Sequence, residues 1–133
     1  VSAAHRLPVT VWYEDTDMGG IVYHANYLKF VERGRSAWIA ELGIDQEALR
    51  QTGTVFAVRR IEADYLAPAR FADNLVVETR IRSIGPARCD MRQSVLRGET
   101  VLFDARVTLV AMGPSGRPTR LPAMLRDVLS GAT

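Results

Sequence analysis

At 133 residues the chain has the length of one domain, enough to bury roughly two-thirds of the surface its unfolded form exposes. With 47% hydrophobic and 24% charged residues it has an ordinary globular composition, which excludes global disorder. Its 17 basic and 15 acidic residues leave a net charge of only +2, and arginines alternate with acids along the chain, so no nucleic-acid surface is indicated.

The basic residues are almost all arginine, with Lys29 the sole lysine. Arginine suits bidentate capture of phosphate or carboxylate; a compositional bias toward arginine accounts for the same count. Cys89 stands alone, which excludes an internal disulfide framework and a cysteine metal cluster and favours a reducing compartment. The stretch VSAAHRLPVT has no apolar run of signal-peptide length, and no stretch of about 18 uninterrupted apolar residues occurs. The expectation is a cytoplasmic chain without a transmembrane segment.

Residues 8–13 (PVTVWY) read as a short strand, rich in valine and aromatics. An acidic, glycine-bearing loop follows. Over residues 25–42 the pattern turns helical: Tyr27, Val31, Gly34, Trp38 and Leu42 recur at helical steps, and Leu28, Phe30 and Ala37 widen the stripe. Gly34 in the middle of a helix costs about 1 kcal/mol relative to alanine and implies a close backbone neighbour. Gly43 ends the helix. Residues 45–51 read as a short helical turn capped by Asp45.

Strand signals then dominate. Ile61, Ala63 and Tyr65 alternate with Arg60, Glu62 and Asp64; residues 75–84 and 88–97 follow. In the fourth run Val101, Phe103, Ala105, Val107 and Leu109 share a face opposite Asp104, Arg106 and Thr108. Residues 121–129 form a terminal helix entered through Pro122. This order predicts an α+β fold in one domain (residues 1–133), an antiparallel five-stranded sheet against one long helix. One helix cannot cover such a sheet, so a second copy is expected on the remaining edge or face: a homodimer.

The densest chemistry lies in EDTDMGGIVYHANY (14–27). A calcium loop opening at Asp15 requires a glutamate at its twelfth position, and that position is Asn26. His5 and His24 are too few for a zinc site, so no metal is expected. A capped turn explains one aspartate and one glycine. A catalytic reading uses more of the stretch. The start of the helix near His24 offers free backbone N–H groups and a partial positive dipole. A carboxylate about 3 Å from a bound carbonyl carbon acts as nucleophile or as general base toward water. Glycines at 19 and 20 let the backbone approach the substrate. A thiolate leaving group needs no acid, because a thiol pKa of about 8.5 lets it depart unassisted.

EDTDMGGIVYHANYLKFVERGR resembles the signature of the 4-hydroxybenzoyl-CoA thioesterase family of hotdog-fold proteins, and most closely its Tol–Pal-associated acyl-CoA thioesterase branch. EADYLAPARFADNLVVET (62–79) resembles the same branch, and the likeness runs over about residues 9–121. The resemblance implies a hotdog fold, with the sheet wrapped around one long central helix. It also implies hydrolysis of an acyl-CoA with a short or small aromatic acyl group, giving free acid and CoA.

In the site that the resemblance implies, Asp17 is the catalytic carboxylate and a backbone N–H near His24 polarises the carbonyl. The His24 side chain either orients water or substrate or serves only the start of the helix. Gly20, Asn26 and Tyr27 belong to the same motif as substrate-binding candidates, Tyr27 also fitting the core stripe. Glu14 and Asp15 read as surface or turn residues, and Glu32 as an ion-paired helix residue. Arg88, Arg117 and Arg120 match positions that hold the CoA nucleotide, although SIGPAR (83–88) departs from the family pattern. No cofactor is implied beyond the CoA of the substrate. The implied partners are copies of the chain, as a homodimer or a homotetramer (dimer of dimers), and acyl carrier protein as an alternative carrier. A hydratase would need a different acid–base block; a non-catalytic adaptor binding acyl carrier protein or an envelope complex would keep the fold with an idle site.

Overall fold

The computed structural model describes residues 4–133; residues 1–3, the head of the VSAAHRLPVT stretch, lie outside the described residues. The chain runs β1 (His5–Thr10), a 3-10 turn (Tyr13–Asp15), α1 (Asn26–Glu41), α2 (Gln46–Gln51), β2 (Val55–Tyr65), β3 (Asn74–Ile84), β4 (Arg88–Arg97), β5 (Thr100–Met112) and α3 (Ala123–Gly131). The strands form one sheet in the order β1-β3-β4-β5-β2, every neighbouring pair antiparallel. The α+β class and the five-stranded antiparallel sheet read from the sequence are present.

The single long helix is not what occupies the helical side. Three helices share it: α1 with 16 residues, or about 24 Å, α2 with 6 and α3 with 9. α1 packs on β1, β3 and β4, burying Tyr27, Phe30, Val31, Gly34, Trp38 and Ile39. Each large apolar side chain so buried contributes about 1.5–3 kcal/mol. Leu28, counted into the stripe from the sequence, is exposed. The close neighbour inferred at Gly34 is a pair of β3 side chains rather than a backbone. A Cβ there would stand 2.6 Å from Val77 Cγ1 and 3.3 Å from Thr79 Oγ1.

One polar cluster crosses this apolar layer. Gln93 on β4 is fully buried; its Oε1 accepts from Arg35 Nη1 (2.9 Å), and its Nε2 donates to the Val31 carbonyl (2.8 Å) and Thr79 Oγ1 (3.0 Å). Arg35 Nη2 reaches Glu32 Oε2 at 2.7 Å, so Glu32 is ion-paired as its neighbours in sequence suggest. Burial pulls the Arg35 guanidinium below its ordinary value while Glu32 works the other way; an arginine stays charged regardless.

Two boundaries differ from the sequence reading. β1 occupies His5–Thr10 rather than residues 8–13, an edge strand in which Pro8 lacks only an amide proton that the edge can do without. Past Thr10 the chain leaves β3 for the loop that precedes that strand, with the Val11 N–H donating to the Asp73 carbonyl (2.9 Å) and the Ala72 N–H to the Val11 carbonyl (2.9 Å). In β5, Val95 pairs with Phe103 but Leu96 with Val101, leaving Leu102 as the extra residue of a bulge. The bulge turns Val101 away from the face that Phe103, Ala105, Val107 and Leu109 line. The Leu102 carbonyl it frees accepts the Leu66 and Ala67 N–H groups at 2.8 and 3.2 Å. α2 is capped as read, Asp45 Oδ1 accepting from the Glu47 and Ala48 amides at 3.0 and 3.1 Å, and α3 follows Pro122.

Candidate active site

The acidic loop folds around Asp15, not Asp17. Asp15 is buried: its carboxylate accepts the Trp12 N–H (2.8 Å), and its carbonyl accepts the Tyr23 N–H (2.9 Å) and Asn26 Nδ2 (2.9 Å). Of the surface or turn role read for Asp15, the turn holds, as the last residue of Tyr13–Asp15, and the surface does not: three segments of the loop close on it. Glu14 is exposed in the turn. Residues 17–21 then make a tight reversal. The Asp17 N–H donates to the Ile21 carbonyl and the Gly20 N–H to the Asp17 carbonyl, both at 3.0 Å. Gly20 takes φ +76°, which its missing Cβ permits. A Cβ at Gly19 would lie 3.2 Å from Asp17 Oδ1, the atom that accepts the Gly19 N–H at 2.8 Å.

A second segment clamps this loop from below. The Val22 N–H donates to the Ala69 carbonyl (2.8 Å), and Ile21 bridges to Arg70. The Ala69 N–H in turn donates to the Tyr27 phenol oxygen (3.1 Å). Burial pushes the Tyr27 phenol above its ordinary value, partly opposed by that amide. The clamp is fixed at its far end by Asp73, which accepts the Arg70 N–H and Arg97 Nη1, each at 2.8 Å.

Between the two segments opens a cavity of about 460 Å³. Asp17, Ile21 and Val22 line it from the loop, His24 and Tyr27 from the start of α1, and Tyr65, Leu66, Ala67 and Pro68 from the end of β2. Asp17 is exposed at this cavity, and only its Oδ1 is engaged by the loop. Ala25 holds the cap position of α1 without any side-chain cap, and no acidic residue follows in the first turn. Among the described residues no acceptor meets the backbone N–H of His24 or Ala25. The arrangement brings the Asp17 carboxylate and, through His24 and Tyr27, the start of α1 to one largely apolar space; a carboxylate beside a helix start is a combination suited to addition to a carbonyl.

The remaining sequence candidates separate. Gly20 shapes the turn, and Asn26 lies buried beneath the loop on Asp15; neither lines the cavity, whereas Tyr27 does. Arg88, Arg117 and Arg120 do not line it either. Arg88 stands 3.7 Å from Asp90 beside a separate cavity of about 190 Å³, together with Arg60, Arg82 and Arg106. Arg117 and Arg120 are exposed between β5 and α3. Among the described residues no group of three or more His, Cys, Asp or Glu is placed to hold a metal ion. Sequence reading misses Tyr65, Leu66 and Pro68 as cavity walls; their signal is that all three fall within the second family-like block, residues 62–79.

The model of the thioesterase-like superfamily matches residues 11–129. The chain belongs to that family. It is a hydrolase acting on thioesters, and its fold is the hotdog-like fold of such enzymes. The acyl-CoA thioester hydrolase YbgC of Escherichia coli O6:H1 is 40% identical to this thioesterase over 119 residues, covering 88% of this chain and 89% of that protein. The acyl-CoA thioesterase YbgC of Haemophilus influenzae is 37% identical over 106 residues, covering 79% and 78%. Among solved structures, a probable thioesterase from Bartonella henselae superposes with a TM-score of 0.84 at 38% identity, covering 90% of this chain and 100% of that one.

Proposed function

We propose that this thioesterase hydrolyses acyl-CoA thioesters carrying a short or small aromatic acyl group, with Asp17 as the carboxylate that drives attack on the carbonyl. The carrying observation is the shared cavity: Asp17 and the uncapped start of α1 meet across a largely apolar space of about 460 Å³. That volume lies within the range of small-molecule sites. The identity to two acyl-CoA thioesterases supports CoA as the carrier.

In the general-base route, Asp17 Oδ2 takes a proton from water as the water oxygen adds to the thioester carbonyl carbon. The carbonyl oxygen becomes an oxyanion beside the His24 and Ala25 amides. The C–S bond then breaks, the sulfur leaves with the electron pair as thiolate, the acid is released, and Asp17 passes its proton to the thiolate or to solvent. In the nucleophilic route Oδ2 itself adds, the thiolate leaves from a mixed anhydride, and water cleaves that anhydride to acid and free Asp17. In both, the His24 side chain at the mouth orients water or the thioester. The reaction needs no cofactor beyond the CoA of the substrate.

Coenzyme A phosphates are assigned to exposed arginines, with Arg88, Arg117 and Arg120 as candidates. We assign the open side of the cavity to a second copy of the chain. Leu66 is exposed on its wall, and Trp12, Tyr13 and Phe71 are further exposed apolar side chains, surface of the kind that partners cover. The cytoplasm is the compartment that a lone cysteine and a CoA substrate favour; among the described residues no helix is long and apolar enough to cross a membrane.

The test is release of free thiol from a panel of acyl-CoAs, acetyl to palmitoyl with benzoyl and 4-hydroxybenzoyl. Turnover concentrated on short or aromatic members is expected. Turnover on palmitoyl-CoA alone would contradict the acyl range, and turnover only on acyl carrier protein thioesters would contradict CoA as the carrier.

A further inference from the structure

Tyr65 closes β2, and its phenol reaches across the cavity to the start of α1. The O–H donates to the His24 carbonyl at 2.9 Å. Two neighbouring rings hold the side chain in place. It packs edge-on against Phe103 (centroids 5.0 Å apart, 68° between planes) and Tyr27 (5.5 Å, 83°). Tyr27 itself stacks on Phe103 at 5.1 Å. An aromatic ring fixed by two neighbours leaves its hydroxyl little freedom, so the bond to His24 is set by the sheet rather than by the loop at the mouth of the cavity.

The carbonyl it meets belongs to the same peptide unit as the Ala25 N–H, which has no acceptor among the described residues. A peptide unit is a conjugated dipole: a donor on its oxygen draws charge from nitrogen and strengthens the N–H as a donor. The same bond fixes the plane of the unit, so the N–H does not have to reorganise when charge develops on a substrate oxygen.

We propose that Tyr65 is a positioning residue for thioester hydrolysis, acting through the His24–Ala25 peptide. The proposal rests on the reading of the α1 start as the oxyanion site. Tyr65 has a second, separable part, because its ring also lines the cavity. Phenylalanine keeps the ring and removes only the donor.

The experiment compares native protein with Tyr65→Phe on the best acyl-CoA of the panel and records the ¹⁵N–¹H amide spectrum of both. Loss of one neutral hydrogen bond that matters in the transition state lowers kcat by about five- to tenfold. KM is expected to stay within about twofold, since the wall of the cavity is unchanged. The Ala25 amide nitrogen is expected to move upfield as its carbonyl partner loses the phenol, with other cavity amides little affected. A kcat within about twofold of native, a raised KM at unchanged kcat, or an unmoved Ala25 resonance each overturns the proposal. Its failure is separable from failure of the acyl-CoA reading, in which native protein itself releases no thiol from any panel member.

Discussion

Replacing Gln93 by leucine keeps nearly the same volume at a fully buried position of β4 and removes three hydrogen bonds. The costliest is the bond from Arg35, because it leaves an N–H of a buried guanidinium without an acceptor, worth about 1.5–3 kcal/mol. The Thr79 hydroxyl loses a partner at about 0.5–1.5 kcal/mol, and the Val31 carbonyl loses less because its helical bond remains. Leucine recovers part of this by burying apolar surface, so a net loss of about 3 kcal/mol is expected. Arg35→Met leaves the buried Gln93 Oε1 unpaired, and also Glu32, whose exposed carboxylate water serves; the substitution is expected to cost about 2 kcal/mol. In the double variant neither group remains to be stranded. Its loss should fall short of the sum by about 1–2 kcal/mol. Urea unfolding at pH 7, with matched m-values, reads all three. A change below about 0.5 kcal/mol for Gln93→Leu, or a double variant equal to the sum within about 0.5 kcal/mol, would contradict a coupled buried pair.

Asp15→Ala should destabilise by about 1–3 kcal/mol in the same assay, while Asp15→Asn, whose amide oxygen still accepts the Trp12 N–H, should cost less than about 1 kcal/mol; equal losses would contradict the hydrogen-bond account. The Arg70 N–H, and with it Arg97, holds the Asp73 carboxyl below its ordinary 3.8. The folded state therefore binds that proton more weakly than the unfolded chain, so the stability it contributes is whole above pH values near 3.8 and drains as pH falls below them. Native protein and Asp73→Asn should then converge in urea midpoint below about pH 4, and a constant difference down to about pH 2.5 would contradict this. Burial pushes the Cys89 thiol up to about 12, so at pH 8 its thiolate fraction is on the order of 1 in 10,000. An aromatic disulfide reagent should titrate no thiol in the folded protein and one per chain in denaturant; rapid labelling when folded would contradict the burial.

The parts of this molecule legible in its sequence are those governed by local period and local chemistry. The α1 stripe, the Asp45 cap, Pro122 before α3 and the alternation in β5 each report on residues within a turn or two of themselves. The loop 14–27 stands out as a candidate site because its residue types exceed what a turn needs. What stays hidden depends on partners distant in sequence. Asp15 looks like one surface acid among three, and its burial follows from Tyr23 and Asn26 folding back onto it. Val101 fits its strand's alternation until the bulge at Leu102 reverses its face. Tyr65 is marked only by its place in the second family-like block; its bond to His24 is not, since the hydroxyl meets His24 only when β2 lies beside the start of α1.

Asp17 is the residue proposed to drive thioester hydrolysis. Its most direct test is single-turnover thiol release by native protein and Asp17→Asn on the preferred acyl-CoA. Asparagine keeps an oxygen for the Gly19 N–H and so leaves the turn intact, while removing the carboxylate that deprotonates water or attacks carbon. A loss of about 100-fold or more with an unchanged urea midpoint is expected. A variant that retains the native rate would contradict it and move the chemistry away from Asp17.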